Sequence, residues 1–82
     1  MFKEHEQIVL TDHVKGDENV DLRPGDVGTV VHIHQGGEAY IVEFMSLEGE
    51  TIALATVLHS QARAVSRDDI SHARTIEPPI AA

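Results

Sequence analysis

The sequence predicts an all-β domain: a small, partly open, five-stranded barrel over residues 1–65, followed by a tail over 66–82. Three observations carry this. Apolar, β-branched residues fall in short runs with near alternation, the period-two signature of half-buried strands. Turn-forming residues, Pro24-Gly25, Gly36-Gly37 and Gly49, separate those runs. The stretch Leu22 to Phe44, LRPGDVGTVVHIHQGGEAYIVEF, reads as a turn, a strand, a glycine hairpin and a second strand.

Element by element, Gln7 to Leu10 is the first strand, with Val14 in a continuation. Residues 15–21, KGDENVD, are polar and read as the long first loop of an SH3-like barrel. Arg23 to Asp26 is a turn in which proline sets φ and glycine supplies the positive φ of type II. Gly28, inside the next strand, marks a bend or a close approach. Thr29 to His34 alternates, with Val30, His32 and His34 on one face and Thr29, Val31 and Ile33 on the other. A glycine hairpin follows. Ala39 to Met45 then turns Tyr40, Val42 and Phe44 to the core, because Glu43 needs water.

Ser46 to Glu50 is a turn, and Thr51 to Val57 a strand with Ile52 and Leu54 inward. Its other face, Ala53 and Ala55, leaves room for close approach by a strand or a partner, as does the exposed face near Val30 and Ile41. Leu58 to Gln61 forms a 3₁₀ turn before a last strand, Gln61 to Val65. Ser66-Arg67-Asp68-Asp69 resembles a capping box with Asp in place of Glu, which predicts a short helix through about His72. An edge strand over Ile70 to Ile76 is the alternative, and Pro78-Pro79 ends regular structure.

Composition narrows the function classes. Eighty-two residues make one domain with a small core, which a partner or self-association would supplement. The chain has no cysteine, so disulfides, thiolate metal sites and thiol nucleophiles are excluded. The amino terminus lacks the apolar core of a signal peptide, and no apolar run approaches the roughly 20 residues of a membrane span. A cytoplasmic protein with no membrane partner is expected. Net charge is −8, from six Lys/Arg against fourteen Asp/Glu, and the cations are scattered. Phosphate backbones would be repelled, so no nucleic acid is expected and a basic protein partner fits better.

Glu18, Asp21, Asp26, Glu43, Glu48 and Glu50 are the candidate contacts to such a partner. The acidic loop KGDENVDLRPGD lacks the spacing of a calcium-binding loop. His32 and His34, two apart on a strand, point the same way and are the candidate metal ligands; His5, His13, His59, His72 or Glu43 would have to complete a site. Six histidines also make the charge sensitive to pH near 6. No nucleophile elbow or oxyanion-hole pattern is present, and an enzyme is not expected. No cofactor is implied. Phe2, Tyr40 and Phe44 are too few to build a proline-binding groove or to stack single-stranded bases.

RPGDVGTVV, EAYIVEF and GETIAL, in this order and spacing, resemble a bacterial family of small uncharacterised proteins, a domain of unknown function with an SH3-like barrel. The resemblance covers Gln7 to Val65. It implies a fold and no activity, so no catalytic residue carries over. Members of that family sit in small two-gene arrangements, some resembling toxin–antitoxin pairs. His32 and His34 depart from the family pattern, which has an acidic or polar residue and an aromatic there. The turn and strand of GDVGTVV also resemble KOW segments and the barrel of nitrile hydratase β-subunits. The expected function is non-enzymatic protein binding, as an acidic antitoxin or immunity-like partner masking a basic toxin or nuclease. The alternatives are an accessory subunit of a larger complex and a histidine-based metal-responsive module.

Overall fold

A computed structural model describes residues 1–76 of the protein. It contains strands β1 (Gln7–Leu10), β2 (Val14–Lys15), β3 (Asp21–Leu22), β4 (Val27–His34), β5 (Ala39–Met45), β6 (Thr51–Leu58) and β7 (Ala62–Ala64). Five strands form one antiparallel sheet in the order β6-β5-β4-β1-β7, and β2 pairs with β3 in a second small sheet. The long strands β4, β5 and β6 form a meander. β1 lies between β4 and β7, pairing Ile8 with both Gly28 and Ala64. β6 and β7 remain separate edges, so the sheet is not closed. Among the described residues there is no α-helix, and no helix long and apolar enough to cross a membrane.

The turns follow from local chemistry. The Asp26 N–H reaches the Arg23 carbonyl at 3.0 Å, and Gly25 takes φ +96° as the type II turn requires. Between β4 and β5, Gly37 N–H bonds the His34 carbonyl at 3.0 Å, with Gln35 and Gly36 both at positive φ. Gly37 is at positive φ as well, and the connection spans the four residues 35–38, since His34 pairs with Ala39. The loop read over 15–21 is more ordered than its polarity suggests. Val14 and Lys15 pair with Leu22 and Asp21 around one 3₁₀ turn, Asp17–Asn19.

The core lies on one side of the sheet. Ile8, Leu10, Val30, Tyr40, Val42 and Val57 are fully buried, joined by Phe2, Phe44, Val14, Val20 and Leu22. Each such side chain contributes about 1.5–3 kcal/mol on burial. Gly28 is where Phe44 packs: a Cβ there would meet Phe44 Cε1 at 2.9 Å and would also clash with Val42.

Three expectations are corrected. Ala53, Ala55 and Val57 face the core and Leu54 is 40% exposed, although Ile52, half-buried, does pack against the core as expected. Ala53 pairs with Phe44 and Ala55 with Val42 across the neighbouring strand, so the small residues of β6 lie beside large core side chains. The Ala53 Cβ also lies 3.0 Å from where a Gly16 Cβ would be. Val30 is core and does not share a face with His32 and His34. A β-bulge at Val31 breaks the alternation, so Val30 opposes Val42 but His32 opposes Ile41. Neither Ala53 with Ala55 nor Val30 therefore offers an interface.

The tail is neither helix nor strand over the described residues; Pro78-Pro79 lies outside them. Ser66 to Asp69 makes one turn: Ser66 N–H donates to Asp69 Oδ2 at 2.7 Å, and Asp69 N–H to the Ser66 carbonyl. The turn is not continued into a helix, and Arg63 also binds the Asp69 carboxylate through both terminal guanidinium nitrogens. Further on the tail packs back, with Ile76 against the core cluster.

Candidate functional site: the outer face of the meander

Cross-strand register fixes which side chains share the outer face. Three rows cross β4, β5 and β6: His34–Ala39–Leu58, His32–Ile41–Thr56 and Thr29–Glu43–Leu54. The inner residues Tyr40, Val42, Ala55 and Val57 are core, so these rows point away from it. Beyond them, Met45 is 46% exposed, Leu54 40% and Leu58 49%. Leu47, at the tip of the β5–β6 hairpin, stands free between Ser46 and Glu48. The result is a face of exposed aliphatics interrupted by acids.

The acids divide into two groups. Three aspartates are neutralised within the chain: Lys15 binds Asp21, Arg63 binds Asp69, and Arg74 binds Asp26. The Lys15 hydrogen bond holds Asp21 below the usual carboxylate pKa, and that of Arg63 does the same for Asp69. Asp26 is the least exposed of the three. Burial raises its pKa, but the Arg74 guanidinium and the Arg23 N–H, 2.9 Å from Oδ2, outweigh burial and hold it low. Glu18, Glu43, Glu48 and Glu50 are in none of the ion pairs among the described residues. Glu43 accepts a hydrogen bond from Thr51 on the neighbouring strand. Glu48 and Glu50 are exposed on the hairpin tip, where Ser46 Oγ accepts the Glu50 N–H. Glu18 sits at φ +53° in the 3₁₀ turn that packs beside β6.

Of the predicted contacts, Glu43, Glu48 and Glu50 are thus brought together on one hairpin, with Glu18 near its free edge. Asp21 and Asp26 lie elsewhere, around the β2–β3 ladder. There a concavity of about 570 Å³ is lined by His13, Val14, Lys15, Asp21, Leu22 and Arg23. His32 and His34 do share the outer face, their rings edge to face at 4.7 Å. Among the described residues, no group of three or more His, Cys, Asp or Glu side chains is placed to hold a metal ion. Leu54 was missed by reading the larger residues of β6 as core, and Leu58 by ending the strand at Val57. The signal lay in the pairing of Leu54 with Glu43, a residue that must face water.

The free edge of β6 is capped by side chains. Asp17 Oδ1 accepts the Leu54 N–H at 2.9 Å, and Gln61 Oε1 accepts the Leu58 N–H at 2.9 Å. These are outward-pointing donors that an added strand would use. The edge of this hairpin is therefore less open to an added strand.

The chain belongs to the family of the domain of unknown function DUF4926, whose model matches residues 4–64. The matched region holds the whole sheet and ends before the tail. No curated protein and no solved structure matches the chain.

Proposed function

We propose that the chain is a non-enzymatic protein-binding module, built on an SH3-like barrel, that holds a basic partner on the outer face of β4, β5 and β6. The observation that carries this reading is the co-location of exposed Met45, Leu54 and Leu58 with Glu43, Glu48 and Glu50 on one hairpin. Apolar side chains supply contact area, and acids outside the internal ion pairs supply steering and specificity. The net charge of −8 favours the same sign of partner. The sharper form is an antitoxin or immunity-like protein that masks the basic surface of a toxin or nuclease.

Co-expression with the product of the adjacent gene tests this. The two proteins should co-purify, and Glu43→Lys, Glu48→Lys and Glu50→Lys together should abolish the complex. Failure to associate, or a complex indifferent to the triple reversal, contradicts the reading.

A further inference from the structure

The tail carries an arrangement that neither the acidic hairpin nor the family domain accounts for. Arg74 lies 48 residues from Asp26 in sequence, yet its Nε donates to Asp26 Oδ1 at 2.7 Å and its Nη2 binds Oδ2. Nη2 also points to the Asp21 carbonyl at 3.5 Å. The pair is the most buried of the three ion pairs, with side chains 19% and 15% exposed. Two residues further on, Ile76 packs on the core cluster, while Ile70 before it is 89% exposed. The segment meets the sheet through the Arg74 guanidinium and the Ile76 side chain, while Ser71, His72, Ala73 and Thr75 are exposed. Asp26 belongs to the matched family region and Arg74 does not.

A planar guanidinium held by two nitrogens on one carboxylate is a specific recognition geometry that a lysine cannot reproduce. The turn that presents Asp26 is rigid independently of the tail. Its carboxylate accepts the Arg23 N–H, and the backbone on either side is tied to β1 by Gly25 N–H to the Leu10 carbonyl and Leu10 N–H to the Asp26 carbonyl, both at 2.9 Å.

We propose that the Asp26 turn is a docking site for an extended segment bearing an arginine and, two residues later, an aliphatic side chain. The chain's own tail is its resident ligand, and a basic partner enters by supplying the same pattern in its place. This rests on the reading of the chain as a binder of basic proteins and adds a second, gated contact to it. A tethered segment competes at an effective concentration on the order of millimolar, so the resident tail would exclude weak arginine-bearing segments and yield only to a partner also held elsewhere.

The probe is a synthetic peptide of residues 70–76 added to the full-length chain, followed through the amide resonances of Arg23, Gly25 and Asp26. In the unmodified chain the tail blocks it. Arg74→Glu sets a carboxylate against Asp26 and expels the tail. Ile76→Ser loosens the tail with both charges in place and serves where Arg74→Glu fails to fold. In either variant the peptide should saturate the Asp26 turn at a concentration roughly tenfold or more below that needed for the unmodified chain. A peptide with glutamate at the arginine position should not bind. The proposal is overturned if neither variant binds the peptide more tightly than the unmodified chain, or if the glutamate peptide binds equally well. Because the peptide probes only the Asp26 turn, either result leaves the outer-face reading to its own charge-reversal test.

Discussion

Phe2 and Tyr40 are joined across the open end of the sheet: the Phe2 N–H donates to the Tyr40 hydroxyl at 3.1 Å, and their rings lie 5.1 Å apart. Tyr40 is fully buried, and this bond satisfies the polar end of its ring. His59 stacks on Phe2 at 5.1 Å, and its ring also lies 6.3 Å from that of Tyr40. Phe2, ahead of β1, is thereby part of the core. Tyr40→Phe should cost about 1 kcal/mol, since it leaves the Phe2 N–H without a partner while keeping the packing. Phe2→Ala should cost about 3 kcal/mol through the cavity it leaves. Urea denaturation checks both, and the order of the two effects is the expected result.

Gly28 is required by packing and Gly36 by conformation. Gly28→Ala would force a methyl against Phe44 and Val42, and should destabilise by about 1–3 kcal/mol. Gly36, at φ +68° with open space around it, should lose only about 1 kcal/mol on the same change. Thermal melts of the two variants should rank accordingly.

Acid should loosen the tail. Asp26 has a depressed pKa in the folded chain, so its contribution is fully present above the ordinary carboxylate value near 3.8 and is lost as pH falls through the lower folded value. Asp69 and Asp21 are depressed as well and act in the same direction. Stability should therefore decline below about pH 4, and Asp26→Asn should flatten part of that decline. Arg74→Ala at neutral pH leaves a half-buried carboxylate unpaired and should cost about 1–3 kcal/mol.

Removing the caps on β6 should change association more than stability. Asp17→Ala with Gln61→Ala frees the outward N–H groups of Leu54 and Leu58 on an eight-residue edge strand. Such an edge recruits another strand. Sedimentation should show concentration-dependent dimers for the double variant and less self-association for the unmodified chain.

How far the sequence could be read depended on whether the cause was local. Pro24-Gly25, the glycine hairpin and Gly28 announce turns and a close approach because each needs a backbone or a space that few residues allow. The all-β class and the Tyr40/Val42/Phe44 core face followed from alternation anchored by Glu43. Alternation failed where a bulge intervenes. Val31 shifts β4 by one residue, and a second irregularity between Phe44 and Met45 affects the start of β6, where Met45 opposes Thr51. In β6 side-chain size misled at Leu54, which looks like core beside Ala53 and Ala55 but is exposed, whereas Ile52 does pack against the core. The acidic residues were legible by type and not by state. Nothing near Asp26 in sequence shows that Arg74 neutralises it, and nothing near Ser66 shows that Arg63 binds Asp69 as well.

The outer-face assignment is tested most directly by mapping backbone amide shifts as the product of the adjacent gene is titrated into the labelled chain. The account predicts that perturbed residues gather at Glu43, Met45, Glu48, Glu50, Leu54 and Leu58, with affinity falling as salt screens the acids. Perturbations confined to other surfaces, or binding unchanged between low and high salt, would contradict it.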